Sequence, residues 1–182
     1  SKMATTIVAL HLDGNVANIV HAGDSRVYRL QPDGVLVQET EDHSMVADEI
    51  RAGRMTEEQA ENHPGKNIIN RALGAEPNVD IELKTIMIEP GSSFLLCSDG
   101  ITRHVSDIEI RDLLESGIST DAICDQLKSL CFERGAEDNL TAVVVQTLSS
   151  ETNDGQIVNS AIAPVAEPDI DILALPDNEE DT

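Results

Sequence analysis

The sequence predicts an α+β fold in which antiparallel strands are covered by helices. Apolar, β-branched segments separated by short turns fill the first forty residues, and two amphipathic helical segments lie between residues 106 and 134, followed by one more strand. A chain of 182 residues is long enough for one domain with a substantial core. Because aromatic residues make up only 2% of the chain, we expect Val, Ile, Leu and Ala to fill that core.

Four strands are predicted in the first forty residues. The segment 5–12 and "VANIVHA" flank the turn Asp13-Gly14-Asn15, and both strands look buried on both faces or nearly so. Turns at residues 23–26 and 32–34 then bracket "VYRL" and introduce "VLVQET". Four strands in succession predict an antiparallel meander.

The middle of the chain predicts two short helices and a return to strands. One helix covers residues 45–52 and is closed by Gly53, and a second begins after Thr56, with Gln59 in the capping-box position. "HPG" at residues 63–65 stops the second helix. Strands are then predicted at "NIINRAL", "VDIELKTIMI" and "SFLLCS".

The last third predicts two longer helices, a central strand and a tail. Ser106, with Glu109 three residues on, begins a helix that ends before Gly117, and residues 120–134 carry an apolar stripe at helical spacing. We expect both helices to cover a face of the sheet, and "LTAVVVQTL" to form a central strand. Residues 150–182 are acidic and contain prolines but no Lys or Arg, which indicates a disordered tail or linker; its apolar stretch 170–175 is either a short docking motif or part of an unstructured tether.

Charge and cysteine content restrict the partners and the compartment. The 12 basic and 34 acidic residues give a net charge of −22, which argues against nucleic acid or an anionic membrane surface as a partner. Three cysteines without paired spacing do not indicate a disulfide framework. With no signal peptide pattern and no apolar run near 18 residues, we expect a cytoplasmic protein.

Three aspartates stand at the ends of predicted strands: Asp24, Asp99 and Asp138. Each has an ordinary explanation, because Asp side chains cap turns. If the strands are neighbours in a sandwich, however, Asp99 and Asp138 come together and repel unless a cation such as Mg²⁺ or Mn²⁺ lies between them. Divalent cations of this kind suit the hydrolysis of phosphoesters.

Five ordered motifs resemble the metal-dependent protein Ser/Thr phosphatases of type 2C, the PPM family, in their bacterial form: "GDSRVYRL", "DHSMV", "HPGKNIINRALG", "PGSSFLLCSDGI" and "EDNLTAVVV". The resemblance spans about residues 4–148. It implies an αββα sandwich, hydrolysis of phosphoserine and phosphothreonine in proteins by a metal-activated water, two bridged Mn²⁺ or Mg²⁺ ions, and a third, weakly held ion.

The same resemblance assigns roles to individual residues. Asp99 and Asp138 match the aspartates that bind the metal pair, and Asp24 matches the residue that binds the third ion. The segment 42–74 resembles the flap that borders the site and influences substrate choice. His43 matches no catalytic residue, and we expect it to be structural, at the base of the flap.

The family's N-terminal motifs are missing from this sequence. The family has an arginine that grips the phosphate and a D-G-x-G-G segment whose aspartate bridges the metals, and neither occurs in residues 1–182. We therefore expect residues 1–149 to be the C-terminal portion of a phosphatase domain, incomplete at its N-terminus and weak or inactive by itself. A missing N-terminal segment or a fused domain is then an expected partner. The alternative is a pseudophosphatase or regulatory protein-binding module that uses this scaffold without catalysis.

Overall fold

The computed structural model describes residues 3–136 and 139–148, all of which lie in the first of the chain's two units, Ser1–Thr152. The tail predicted at residues 150–182 lies outside the described residues. In chain order the elements are β1 Ile7–Asp13, β2 Val16–Ala22, β3 Arg26–Leu30, β4 Leu36–Gln38, α1 Met45–Arg51, α2 Glu57–Glu61, β5 Glu82–Met87, β6 Ser93–Cys97, α3 Asp99–Thr102, α4 Asp107–Glu115, α5 Thr120–Glu133 and β7 Ala142–Gln146.

The strands form two antiparallel sheets, which confirms the α+β prediction. The first sheet has the order β1-β2-β5, and the second has the order β4-β3-β6-β7. The inner faces of the two sheets pack on each other through an aliphatic core with one aromatic side chain, Phe94. The other face of the second sheet packs against α3, α4 and α5. The molecule is therefore layered: the first sheet, the inter-sheet core, the second sheet, a second core and the helices lie in that order.

The predicted meander is wrong. β2 pairs with β1 and β5, whereas β3 pairs with β4 and β6, so the chain crosses between the sheets after β2. Ala17 and Ile19 of β2 pack face to face with Val27 of β3 in the inter-sheet core. Two consecutive apolar strands can pack face to face as well as edge to edge, and their hydrophobic pattern does not distinguish the two arrangements.

The burial predicted for the first hairpin is also wrong for β1. Alternate residues of β1 are exposed, since it is an edge strand of a sheet with one face turned away from the core. The outward positions include Ile7, and on β5 Leu83 and Met87 are 66% and 65% exposed. β7, predicted as a central strand, likewise lies at one end of its sheet within the described residues.

The segment "NIINRAL" is not a strand. It makes only isolated bridges, which are Ser44 to Ile69, Thr5 to Leu73 and Leu73 to Glu76. The main-chain N–H of Asn70 donates to the carbonyl of His43 at 3.0 Å, so the segment is held against the start of α1. Its β-branched residues favour a strand, but tertiary contacts determine the conformation of its main chain.

The helix predictions are confirmed, and Thr56 and Ser106 form the predicted capping boxes with Gln59 and Glu109. Ser119, for which no cap was predicted, is the N-cap of α5. The buried positions of α4 and α5 are Ile110, Leu114, Ile123, Leu127 and Cys131. α3, which begins at Asp99 directly after β6, was not predicted. In the described part of the chain, the longest helix has 14 residues, and none has the length and hydropathy of a membrane-spanning segment.

One buried carboxylate ties the two sheets together. The Glu39 side chain, 2% exposed, accepts from Arg29 Nε of β3 at 2.6 Å and lies 2.8 Å from Lys84 Nζ of β5. Because two cations face it from different sheets, the charge of Glu39 is compensated where burial would otherwise be costly.

Candidate metal centre

Asp24 and Asp99 lie at the same end of the second sheet. The antiparallel register of β3 and β6 pairs Arg26 with Cys97. Asp24 lies two residues before the first of these and Asp99 two residues after the second, so the two continuations of the strands face each other. The structure thus brings together two of the three aspartates that the sequence singled out.

The segment before β7 reaches the same end of the sheet. The N–H of Ser98 donates to the carbonyl of Thr141 at 3.1 Å, and the N–H of Thr141 donates to Ser98 Oγ at 3.1 Å. Gly100 is packed so closely that a Cβ at its position would lie 2.9 Å from the carbonyl oxygen of Asn139. Close approach of another segment is therefore the role of this glycine, and its φ is not positive.

Asp138 itself lies outside the described residues. Its neighbour Asn139 lies beside Gly100, the residue after Asp99. The convergence of Asp99 with Asp138 stays a prediction.

The electrostatics of Asp24 indicate a site suited to a cation. Burial, and then the negative charge of Asp99, raise the pKa of Asp24 above its usual value, and Asp42 adds to the effect. A main-chain hydrogen bond of Asp24 and the charge of Arg103 act in the opposite direction. Arg103, the C-cap residue of α3, also forms an ion pair with Asp99. A divalent cation would relieve the repulsion between the two aspartates more directly than a single surface arginine does.

Asp42 is fixed by a fork of hydrogen bonds. Arg26 Nε and Nη2 donate to its two carboxylate oxygens at 2.8 and 2.7 Å, and Arg26 Nη1 donates to the Tyr28 hydroxyl at 2.8 Å. Tyr28 in turn donates to Asp107 at 3.0 Å. Burial alone would lower the pKa of Arg26, but the hydrogen bonds to Asp42 outweigh it and raise that pKa. The network connects β3 both to the segment before α1 and to the start of α4.

A second group of ligand-type side chains lies near the site: His21, His43 and Glu82, whose ligand atoms lie within 4.8 Å of one another. The two imidazole rings are stacked, with centroids 4.4 Å apart and planes inclined by 16°. A ring nitrogen binds a metal along its lone pair, in the plane of the ring. Two nearly parallel, stacked planes do not meet at one metal position, so the geometry does not fit a shared ion.

Hydrogen bonds account for this group instead. The N–H of Gly23 donates to His43 Nδ1 at 3.1 Å, so the neutral ring carries its proton on Nε2, which lies 3.2 Å from the Glu82 carboxylate and 3.2 Å from Arg71 Nη1. His21 Nε2 lies 2.8 Å from the carbonyl oxygen of Glu41. The predicted structural role of His43 agrees with these contacts. The sequence did not indicate that His43 bonds to Gly23, the residue before Asp24. That bond depends on "HAGD" and "DHS" lying side by side in the fold, which their separation in the sequence does not reveal.

Asp24 and Asp99 are the described residues that could hold a metal. Carboxylate oxygens are the ligands that Mg²⁺ and Mn²⁺ prefer, and two half-buried aspartates at one sheet end fit such an ion. They would supply part of a coordination shell, since each hard cation of this type takes about six oxygen ligands.

Comparison with known proteins connects this geometry to a family. No protein-family model matches the sequence. The serine/threonine phosphatase stp of Listeria welshimeri is 40% identical over 144 residues, which cover 79% of this chain and 57% of that protein. The chain thus spans rather more than half the length of the curated relatives it matches.

Solved structures with a similar fold are also serine/threonine phosphatases. The S. agalactiae serine/threonine phosphatase superposes with a TM-score of 0.75 at 33% identity, over 81% of this chain and 60% of that one. A structure of the catalytic domain of the phosphatase PstP in complex with two manganese ions gives a TM-score of 0.71 at 36% identity, over 81% of this chain and 60% of that one. On the evidence of its fold and its sequence, the chain belongs to the bacterial PPM-type, metal-dependent Ser/Thr phosphatases.

Proposed function

We propose that this chain supplies Asp24, Asp99 and Asp138 as metal ligands to a Mn²⁺- or Mg²⁺-dependent centre that hydrolyses phosphoserine and phosphothreonine in proteins. The observation that carries the proposal is the position of Asp24 and Asp99 at one end of the second sheet, where burial and then the charge of Asp99 raise the pKa of Asp24. Likeness to a phosphatase solved with two manganese ions supports the choice of metal.

The chain's own residues would hold and orient the centre. Asp99 lies at the junction of β6 and α3, and Ser98 Oγ beside it accepts the main-chain N–H of Thr141. When bound, divalent cations lower the pKa of a coordinated water and neutralise charge on phosphoryl oxygens. Carboxylates that repel one another when no cation is bound would bind a divalent cation in preference to a monovalent one.

The segment 42–74 is proposed as a flap that borders the site and takes part in the choice of substrate. It contains α1 and α2, and it begins at Asp42, which Arg26 anchors to β3. A phosphorylated protein is the proposed substrate. The family's phosphate-gripping arginine and D-G-x-G-G segment do not occur in this sequence, so we propose that the 182-residue chain alone turns over substrate weakly or not at all.

The test is a titration of the 182-residue chain with Mn²⁺, in which water proton relaxation measures the binding. Asp99→Asn, Asp24→Asn and Asp138→Asn remove one charged ligand each, and Asp13→Asn removes an exposed carboxylate at the hairpin end of β1 as a matched control. We expect each of the first three to weaken Mn²⁺ binding by about tenfold or more, which corresponds to about 1.4 kcal/mol, and Asp13→Asn to leave it unchanged. Equal binding by Asp99→Asn and by the unaltered chain would refute the ligand assignment.

Turnover of p-nitrophenyl phosphate tests the second half of the proposal. We expect the chain to show little Mn²⁺-dependent hydrolysis. Rapid hydrolysis that requires Mn²⁺ and is lost in Asp99→Asn would show that these 182 residues are a sufficient catalyst.

A further inference from the structure

His43 and Gly23 are joined by two hydrogen bonds that run in opposite directions. The N–H of Gly23 donates to His43 Nδ1 at 3.1 Å, and the N–H of His43 donates to the carbonyl of Gly23 at 3.0 Å. Both polar groups of one residue are thus held by the ring and the main chain of the other. This arrangement fixes the orientation of both peptide units that flank Gly23.

Gly23 is the residue at which such control matters most. Its φ is +119°, a conformation that residues with a side chain rarely adopt, and glycine has the widest choice of backbone conformations. Thr6 also covers it, since a Cβ at position 23 would lie 2.3 Å from Thr6 Cγ2. The next residue is Asp24, so the orientation of this peptide determines where the Asp24 carboxylate emerges.

His43 is itself held from several sides. Its ring is 1% exposed, stacks on His21, and places Nε2 3.2 Å from both the Glu82 carboxylate and Arg71 Nη1. Its own carbonyl accepts the N–H of Asn70 at 3.0 Å. A buried ring with a defined tautomer and a fixed main chain is a rigid reference point for the Gly23 turn.

We propose that His43 is a positioning residue for the metal ligand Asp24, acting through its Nδ1 acceptor on the N–H of Gly23. The inference rests on the proposed function, because it takes Asp24 as a ligand. His43 does not touch the ion. It selects the one backbone orientation of Gly23 that directs Asp24 toward Asp99, and metal sites lose affinity when a ligand is misplaced by about 1 Å.

Two isosteric variants separate this role from simple packing. In His43→Asn the side-chain oxygen can occupy the place of Nδ1 and accept from Gly23, whereas in His43→Gln the terminal amide reaches the place of Nε2 and the Nδ1 acceptor is lost. We expect His43→Gln to weaken Mn²⁺ binding about as much as Asp24→Asn does, by roughly tenfold. His43→Asn should stay within about threefold of the unaltered chain. Glu82→Gln, which leaves Nδ1 in place, is the control.

The hydrogen bond from Gly23 to His43 can also be measured in the absence of metal. Amide hydrogen exchange of Gly23, measured by NMR, should be faster in His43→Gln and remain slow in His43→Asn. In the unaltered chain, the ¹⁵N shift of His43 should show an unprotonated Nδ1 and a protonated Nε2. This last measurement requires no variant to fold.

The outcomes distinguish the two levels of the argument. Unchanged Mn²⁺ binding in His43→Gln, with binding weakened in Asp24→Asn, would overturn the positioning role and leave the proposed function intact. Unchanged binding in Asp24→Asn would overturn both the ligand assignment of Asp24 and the role of His43. Equal loss in His43→Asn and His43→Gln, or a protonated Nδ1, would also overturn the positioning role.

Discussion

Arg26 and Asp42 form a bidentate ion pair, with Nε–Oδ1 at 2.8 Å and Nη2–Oδ2 at 2.7 Å, that joins β3 to the segment before α1. Their side chains are 26% and 20% exposed, so water screens the pair only partly. The third nitrogen of the guanidinium donates to Tyr28. A planar fork with donors in three directions is a geometry that lysine cannot reproduce.

Arg26→Lys should therefore destabilise the fold by about 1.5–3 kcal/mol, because it breaks charged hydrogen bonds in a half-buried setting. Urea-induced unfolding monitored by circular dichroism measures this. Arg54→Lys is the matched control: Arg54 makes the same fork to Glu49, but its side chain is 62% exposed. Water screens an exposed pair of this kind, so it contributes little to stability, and equal losses in the two variants would contradict the argument.

Stability should depend on pH through His43. Burial, assisted by the nearby ring of His21 and the guanidinium of Arg71, lowers the pKa of His43, and the opposing effect of Glu82 does not reverse this. Because the unfolded chain then binds the proton more readily, the stability is fully present above a pH of about 6.5 and is lost as the pH falls through the folded-state value.

Urea unfolding between about pH 5 and 8 checks the dependence. The slope below about pH 6.5 should become smaller in His43→Asn, which has no titrating ring at this position. An unchanged slope in that variant would show that other groups cause the pH dependence.

Gly100→Ala should disturb the candidate metal centre. A Cβ there would lie 2.9 Å from the carbonyl oxygen of Asn139 and 3.0 Å from Leu140 Cδ2, so the segment before β7 would have to move away from Asp99. We expect lower thermal stability together with weaker Mn²⁺ binding.

Gly117→Ala is the control for this change. Gly117 has a φ of +71° but nothing within 4 Å of a Cβ, so the variant should lose roughly 1–2 kcal/mol from backbone strain and keep its Mn²⁺ affinity. If Gly100→Ala bound Mn²⁺ as tightly as Gly117→Ala, close packing at Gly100 would not matter for the site.

The three thiols should differ in their reaction with iodoacetamide. Burial raises the pKa of Cys97 to about 12, and Cys97 and Cys131 are 1% and 0% exposed. Cys124 is half-buried, and burial raises its pKa as well. At pH 8, mass spectrometry should find Cys124 modified first in the folded chain, and the other two only after unfolding. Early modification of Cys97 would contradict the packing of α3 and α5 over the second sheet.

Local chemistry allowed four of the five helices of the described residues to be predicted from the sequence, and it specified where α2 and α4 begin. Thr56 with Gln59 and Ser106 with Glu109 satisfy the free N–H groups of a helix within four residues of chain, so no distant contact is needed to specify where α2 and α4 begin. The three aspartates were also recognisable, because each follows or precedes an apolar strand and because the motifs around them resemble one family.

Only the tertiary structure decided which strands pair and which residues meet. The apolar pattern of β2 suits pairing with β3 as well as packing on it, and the structure shows the second. The same holds for "NIINRAL", whose β-branched residues favour a strand but whose main chain binds near His43. The bond from Gly23 to His43 joins residues 20 apart in sequence, and no local rule of spacing specifies it, since it forms only when two sheets and the segment before α1 are assembled.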